Sequence, residues 1–207
     1  MEIKNAKKKK LKKKKSKTKH TKRNMFGLSS QTGDETLIEA CTPWMAAADG
    51  NLLLLQKSLE KLQIPFMQAD ENGFTVLHSA AAYNQTKILH WIILEASTYG
   101  SGSVSGSVSG SASIVSSIPL NINVEDSDGD TPLHHCENVE AAKVLIDAKA
   151  DVSIRNKEGK TVLEVKEEEY SEIMEDENND GNIDQMNLKV LIDYLKDVSK
   201  NANAQMH

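Results

Sequence analysis

A short phrase built around a threonine occurs four times in this chain, and its spacing is the strongest constraint on the fold. The four copies read CTPWMAAADG, ENGFTVLHSAAAYN, SDGDTPLHHCEN and KEGKTVLEVKEEE. After each copy, apolar residues recur at the three- and four-residue spacing of a half-buried helix, as at Leu188, Leu191, Ile192 and Leu195. The chain is therefore predicted to consist of repeated helical units.

The distances between the threonines show where the repetition is interrupted. Thr42 and Thr75 are 33 residues apart, Thr75 and Thr131 are 56 apart, and Thr131 and Thr161 are 30 apart. Removing about 23 residues from the long interval restores a period of 33. A Gly/Ser-rich tract of 21 residues, 97–117, supplies nearly all of this excess. We therefore predict that 97–117 is a disordered loop inserted between two repeats.

A period of 33 residues with the phrase Gly-x-Thr-Pro-Leu-His resembles the ankyrin repeat family. The resemblance covers roughly residues 36–198, and it is close at DGDTPLHHC. It implies an all-α fold, an ankyrin-repeat solenoid of about four helix-turn-helix units with short β-hairpin-like tips. The implied repeats lie at about 41–68, 69–96, 122–152 and 155–198, followed by a C-terminal tail at 199–207.

The motif has a physical basis, although several positions depart from the family pattern. Thr suits a helix N-cap, Pro the first helical turn, and Gly a preceding turn with positive φ. We therefore expect Thr131 to begin a helix. The third repeat lacks three residues between its two helices, and Lys149 stands where the family usually has a helix-ending Gly. The other departures are in the first and last repeats, at Trp44, Met45, Val162 and Glu164.

The net charge of -5 conceals two oppositely charged parts. Residues 1–23 hold 13 of the 25 Lys and Arg and one acid, a net charge of +12, whereas the remainder holds 12 bases and 29 acids, a net charge of -17. We expect residues 1–24 to form a disordered lysine-rich tail. Residues 7–23 could serve as a nuclear address, bind nucleic acid non-specifically, act as an inert solubilising tail, or fold back onto the acidic body.

Composition excludes several classes of protein. Two widely separated cysteines, Cys41 and Cys136, indicate neither a zinc site nor a disulfide framework. The basic start lacks the apolar stretch of a secretory signal, and no run of about 18 apolar residues could span a membrane. We therefore expect the protein in the cytoplasm, the nucleus or both. We also expect it to be a monomer.

Two acidic stretches partly match the ligand pattern of a calcium-binding loop. DSDGDTPLHHCE, which begins at Asp126, lacks the turn glycine that such a loop requires at its sixth position. DENNDGNIDQMN, residues 176–187, has that glycine and would offer Asp176, Asn178, Asp180 and Asp184 as ligands, but ends on Asn187 instead of Glu. A weak calcium site at 176–187 is therefore a minority hypothesis beside an acidic, solvated insertion.

No group of residues in the sequence forms a convincing active site, and we expect no catalytic residues, no cofactor and no enzymatic activity. The consecutive His134, His135 and Cys136 would point in different directions on a helix and could not converge on one metal ion. The resemblance implies instead that His78 and His134 form hydrogen bonds between repeats.

The resemblance implies a non-enzymatic adaptor that binds another protein through its hairpin tips and inner helices. The acidic body favours a basic partner. Phe74 and Tyr83 are predicted anchors, although Phe74 could instead pack on the neighbouring hairpin. The predicted contact residues are Glu71, Asn72, Phe74, Ala82, Tyr83, Ser127, Asp128, Asp130, Lys157, Glu158 and Lys160.

Overall fold

The computed structural model describes residues 42–100, 120–175 and 183–204, all within one compact unit that spans 32–207. Within these ranges the secondary structure is helical, apart from one isolated antiparallel bridge between Arg155 and Thr161. The helices are α1 (Pro43–Ala48), α2 (Leu52–Leu62), α3 (Val76–Ala82), α4 (Thr86–Gly100), α5 (Val139–Asp147), α6 (Val162–Met174) and α7 (Ile183–Ala204). The predicted all-α repeat fold is confirmed.

Local side-chain hydrogen bonds explain why helices begin at these positions. The Thr42 hydroxyl accepts the Met45 N–H at 3.3 Å, and Asn51 caps α2 in the same way by accepting the Leu54 N–H at 3.0 Å. At α6, Thr161 and Glu164 form a reciprocal capping box. Each cap satisfies backbone donors that have no partner inside the helix.

The helices pack as two layers around one apolar core. The inner helices α1 and α3 contact each other, α2 lies against α1, and α4 lies against α3. On the outer side, α4 contacts α5, α5 contacts α7, and α7 covers α6. The fully buried side chains are mainly aliphatic and include Leu55, Leu77, Ile92, Leu145 and Leu195. The core therefore runs continuously through the repeats, as expected for a stack of helical units.

Three hairpin tips, at residues 70–75, 126–131 and 156–161, share one hydrogen-bonding pattern. Asp70, Asp126 and Asn156 each begin a tip, and the Oδ1 atom of each accepts the N–H groups two and four residues later at 2.8–3.1 Å. The glycine of each tip has a φ of 76° or 77°. These repeated bonds make the tips nearly identical in conformation although their sequences differ.

The third repeat differs from the prediction that Thr131 begins a helix. Residues 132–135 form consecutive turns, with N–H to carbonyl bonds from His134 to Thr131 and from Cys136 to Leu133. Asn138 is already the N-cap residue of α5, so residues 132–137 must supply both the helix and the turn after it, whereas the first repeat has residues 43–50 for these two parts. The missing residues noted in the sequence were therefore lost from the first helix itself, and not only from the turn after it.

Two predicted boundaries also require correction. Helix α4 continues to Gly100, so residues 97–100 of the predicted 97–117 loop are helical. Helix α7 continues to Ala204, so most of the predicted 199–207 tail belongs to the last helix. The rest of that loop up to residue 117 and the whole 1–24 tail lie outside the described residues.

The candidate calcium loop is described only in part. Asp176, Asn178 and Asp180 lie outside the described residues, whereas Asp184 lies in the first turn of α7. The hypothesis of a weak calcium site therefore stays a prediction.

Candidate partner-binding surface

Backbone hydrogen bonds join the hairpin tips of the second, third and fourth repeats into one continuous surface. The Ser127 N–H donates to the Asn72 carbonyl at 2.8 Å, and the Lys157 N–H donates to the Asp128 carbonyl at 3.0 Å. The Asn156 amide adds a bond to the Asp130 carboxylate at 2.8 Å. Because neighbouring tips are fastened main chain to main chain, their exposed side chains keep a fixed spacing.

Beneath the tips, two buried histidines link each repeat to the next. Nδ1 of His78 accepts the Thr75 N–H at 3.1 Å, which leaves the ring proton on Nε2 to donate to the Asp130 carbonyl at 3.2 Å. His134 repeats this arrangement with Thr131 at 3.2 Å and with the Lys160 carbonyl at 3.4 Å. Both imidazoles therefore act as structural links between repeats, as the resemblance implied.

Burial keeps the two linking histidines neutral. Burial and, to a smaller extent, the neighbouring His135 together lower the pKa of His78 from 6.5 to about 4, against weaker opposing effects of Asp130 and Asp126. The pKa of His134 is also lowered, again mainly by burial. A neutral ring is what the bonding requires, because Nδ1 must keep its lone pair to accept the threonine N–H.

The predicted contact residues lie at the tips or at the end of α3, but they differ in exposure. Phe74, Ala82, Asp130 and Lys160 are half-buried. The exposed members are Glu71, Asn72, Tyr83, Ser127, Asp128, Lys157 and Glu158.

The half-buried Phe74 ring packs against two histidines. It stacks on His78 with a centroid distance of 4.9 Å, and it meets His135 edge-on at 5.0 Å. Phe74 therefore contributes to packing between the second and third repeats, which corresponds to the alternative that the sequence left open. Tyr83, by contrast, is 39% exposed.

His135 and Asp126 form a pair that sequence inspection did not find. Nε2 of His135 lies 2.8 Å from Oδ2 of Asp126, with the two side chains 27% and 8% exposed. Burial would raise the pKa of Asp126, but hydrogen bonds from His135 and from the Asp130 and Asp128 N–H groups bring it below its usual value. The only sign of this pair in the sequence is the proximity of two polar residues within one repeat.

These two residues and His78 are the described residues whose side chains come close enough to suggest a metal site. One ligand atom from each lies within 4.8 Å of the others. However, both ring nitrogens of His78 already form bonds to the backbone, and Asp126 is bonded through both oxygens. A metal ion at His78 would have to break the bond to Asp130 and reverse the tautomer.

Cys136 does not offer a reactive thiol. Its side chain is completely buried, its Sγ lies 3.6 Å from the Pro132 carbonyl, and burial raises its pKa to about 12. A thiol that is neutral and shielded from solvent is a poor nucleophile. The neighbouring His134 is bonded to Thr131 and the next repeat, so the two do not form a nucleophile and base pair.

Comparison with known proteins identifies the repeats. Residues 44–93 match a family model for ankyrin repeats in many copies, and residues 128–157 match a model for a single ankyrin repeat. The chain therefore contains ankyrin repeats in these two segments. The matched segments include α2, α3 and α5, parts of α1 and α4, the whole tip at 70–75 and parts of the other two tips, so the matches fall on elements that build the surface.

A fungal relative supports the same assignment. An ankyrin repeat-containing protein of Schizosaccharomyces pombe is 30% identical over 123 residues, which is 59% of this chain. The chain spans about half the length of this relative, 48%. Ankyrin repeats are protein–protein interaction modules, and proteins built from them are typically adaptors without enzymatic activity. Among the described helices, none combines the length and the apolar character needed to cross a membrane.

Proposed function

We propose that this ankyrin-repeat protein is a non-enzymatic adaptor that binds a basic protein partner through its hairpin tips and inner face. The observation that carries the proposal is the fastened row of tips, which presents Glu71 and Asp128 at the surface on a rigid framework. A rigid surface loses little conformational entropy on binding, and clustered carboxylates favour a cationic partner.

The lysines of the fourth tip do not cancel this acidic character, because they bind within the chain. The Lys157 ammonium donates to the Ser127 carbonyl at 2.8 Å. Lys160 pairs with Glu158 at 3.0 Å and with Glu168. Lys160 therefore holds the fourth tip to α6, and Lys157 holds it to the third tip, whereas carboxylates dominate the exposed part of the second and third tips.

The proposal is tested by affinity capture from cell extract, with bound proteins quantified by mass spectrometry. A tip variant, Glu71→Gln with Asp128→Asn, removes two exposed charges from the surface. A control variant, Glu140→Gln with Asp147→Asn, removes two exposed charges from α5. We expect basic proteins to be lost from the tip variant and retained by the control. Equal capture by both variants would contradict the proposal.

The extract must be treated with nuclease, because the rival function is nucleic-acid binding through residues 7–23. If that function is the correct one, capture will require nucleic acid, fall steeply with salt and disappear when residues 1–24 are deleted. The adaptor proposal includes a monomer located in the cytoplasm, the nucleus or both. Size-exclusion chromatography with light scattering and imaging of a fluorescent fusion test these two points.

A further inference from the structure

The inner surface contains a row of three side chains, one from each of the first three repeats, that the sequence reasoning did not bring together. Asp49 ends α1, Tyr83 ends α3, and Glu137 follows the turns of the third repeat. All three are exposed. Asp49 and Tyr83 occupy corresponding positions, because each precedes a residue with positive φ, whereas Glu137 directly precedes Asn138, the N-cap residue of α5.

Hydrogen bonds from the two residues after Tyr83 hold this row in register. The Asn84 side chain accepts the Ala141 N–H of the third repeat at 3.0 Å. The Gln85 side chain donates to the Ala48 carbonyl of the first repeat at 2.7 Å. The turn after Tyr83 is therefore bonded on one side to the first repeat, which carries Asp49, and on the other side to the third repeat, which carries Glu137.

The electrostatic environment of Tyr83 agrees with this placement. Partial burial raises the pKa of its hydroxyl, and the carboxylates of Glu137 and Asp49 raise it further. Partial burial also raises the pKa of Asp49 itself. The ring thus lies in a negative field, to which both neighbouring repeats contribute.

Two other tyrosines provide an internal comparison. The ammonium of Lys189 lies 6.0 Å from the ring centroid of Tyr170, and that of Lys143 lies 5.6 Å from the centroid of Tyr194. Both distances are typical of a cation over an aromatic face. Within the described part of the chain, Tyr83 has no such cation, although it has two acidic neighbours. The Tyr83 ring therefore differs from the other two in having carboxylate neighbours where they have a lysine.

We propose that a lysine or arginine side chain of the bound partner lies over the ring of Tyr83, between the carboxylates of Asp49 and Glu137. This assignment rests on the proposed adaptor function and specifies its central contact. The aromatic face attracts the cation, the carboxylates balance its charge, and exposed Met45, one turn before Asp49 on α1, can contact the aliphatic part of the side chain.

The test uses the full chain with defined peptides of glycine and serine that carry four arginines, four lysines or, as the neutral control, four citrullines. NMR of carbon-labelled tyrosine rings follows binding at the site itself. We expect the arginine or lysine peptide to shift the Tyr83 ring, the citrulline peptide to leave it unchanged, and the rings of Tyr170 and Tyr194 to move less because each already has its own lysine.

Matched variants then separate the site from general charge attraction. Tyr83→Leu should weaken peptide binding about two- to fivefold, the range expected for an exposed cation–π contact. Asp49→Asn should weaken it by up to about fivefold, the upper end of the range for an exposed ion pair. Tyr83→Phe should bind like the parent because it keeps the ring. Asp147→Asn should also bind like the parent, because Asp147 lies beside Tyr194 and not beside Tyr83.

The possible failures are distinguishable. If the cationic peptides bind and the tip variant weakens them while the Tyr83 ring does not move, the adaptor function stands and this site is refuted. If neither cationic peptide binds, the basic-partner proposal itself fails. If deletion of residues 1–24 shifts the Tyr83 ring before any peptide is added, the occupant is the chain's own lysine tail, and the assignment to a partner is overturned.

Discussion

The buried imidazole of His78 should make the stability of the fold depend on pH in a defined interval. Its pKa is about 4 in the folded state, against 6.5 for an ordinary histidine. Between these two values the unfolded chain binds a proton and the folded chain does not, so acid favours unfolding. The contribution is fully present above about pH 6.5. It is lost progressively as the pH falls toward 4.

The size of the effect follows from the shift in pKa. One unit corresponds to about 1.36 kcal/mol, so a shift of about 2.5 units contributes about 3 kcal/mol to the free energy of unfolding at neutral pH. Because the His78 side chain is completely buried, solvent screening does not reduce this figure much. A loss of this size would be a substantial part of the total stability of a small domain.

His78→Gln separates this titration from the helix cap. A glutamine oxygen can accept the Thr75 N–H in the way that the Glu164 carboxylate accepts the Thr161 N–H at 2.7 Å in the fourth repeat. The variant loses the bond to the Asp130 carbonyl, so it should be less stable at neutral pH by about 1 kcal/mol. Unlike the parent, it has no imidazole at this position to titrate.

Urea unfolding followed by circular dichroism from pH 4 to pH 7.5 measures the difference. The stability of the parent minus that of His78→Gln should rise by about 3 kcal/mol across this range, and the titrations of His134 and Asp126 should largely cancel because both proteins contain them. A difference that does not change with pH would refute the conclusion that the folded state keeps His78 neutral.

Three further predictions concern the tips and helix ends, each measured as a change in the free energy of urea unfolding. Gly73→Ala should destabilise the fold more than Gly159→Ala. Both glycines have positive φ, but a Cβ at Gly73 would lie 2.9 Å from the Ser127 nitrogen, whereas a Cβ at Gly159 would meet no atom within 4 Å. Equal losses of stability would contradict this prediction. Asp126→Asn should lower the free energy of unfolding by about 1 kcal/mol and Asp126→Ala by about 2–4 kcal/mol. The difference is expected because the Asn156 amide accepts the same two backbone N–H bonds at the equivalent position of the fourth tip. Equal losses would show that these backbone bonds contribute little. Lys149→Gly should stabilise by up to about 1 kcal/mol because Lys149 has a φ of 72°, and a loss of stability would count against strain there.

The sequence predicted features that depend on short-range chemistry. The threonine caps, the positive φ at the tip glycines and the unusual helix end at Lys149 all follow from local rules about backbone conformation. The linking role of His78 and His134 was implied by the resemblance to ankyrin repeats, and the same bond to the next repeat forms at both positions. Repetition converts a local pattern into a prediction about tertiary contacts.

Features that depend on competition between neighbouring segments were not predictable in this way. Pro132 and Leu133 suit a helix, yet α5 begins so early, with Asn138 as its N-cap residue, that residues 132–137 do not supply both a helix and the turn after it. Phe74 becomes half-buried because the ring of His135 packs edge-on against it, although His135 is 61 positions away and lies beyond the Gly/Ser tract. The row of Asp49, Tyr83 and Glu137 was missed because the family motif emphasises the tips and not the ends of the inner helices.

The bonds between the second and third repeats have a consequence for how the polypeptide could be divided. Ser127 is fastened to Asn72, His78 to Asp130, and Ala141 to Asn84, all across the interval that contains residues 101–119. The interface is therefore specified by contacts on either side of that interval and not by the covalent link through it. A chain cut within 101–119 should regain its fold by fragment complementation, and the same interval should accept a foreign domain without altering the surface.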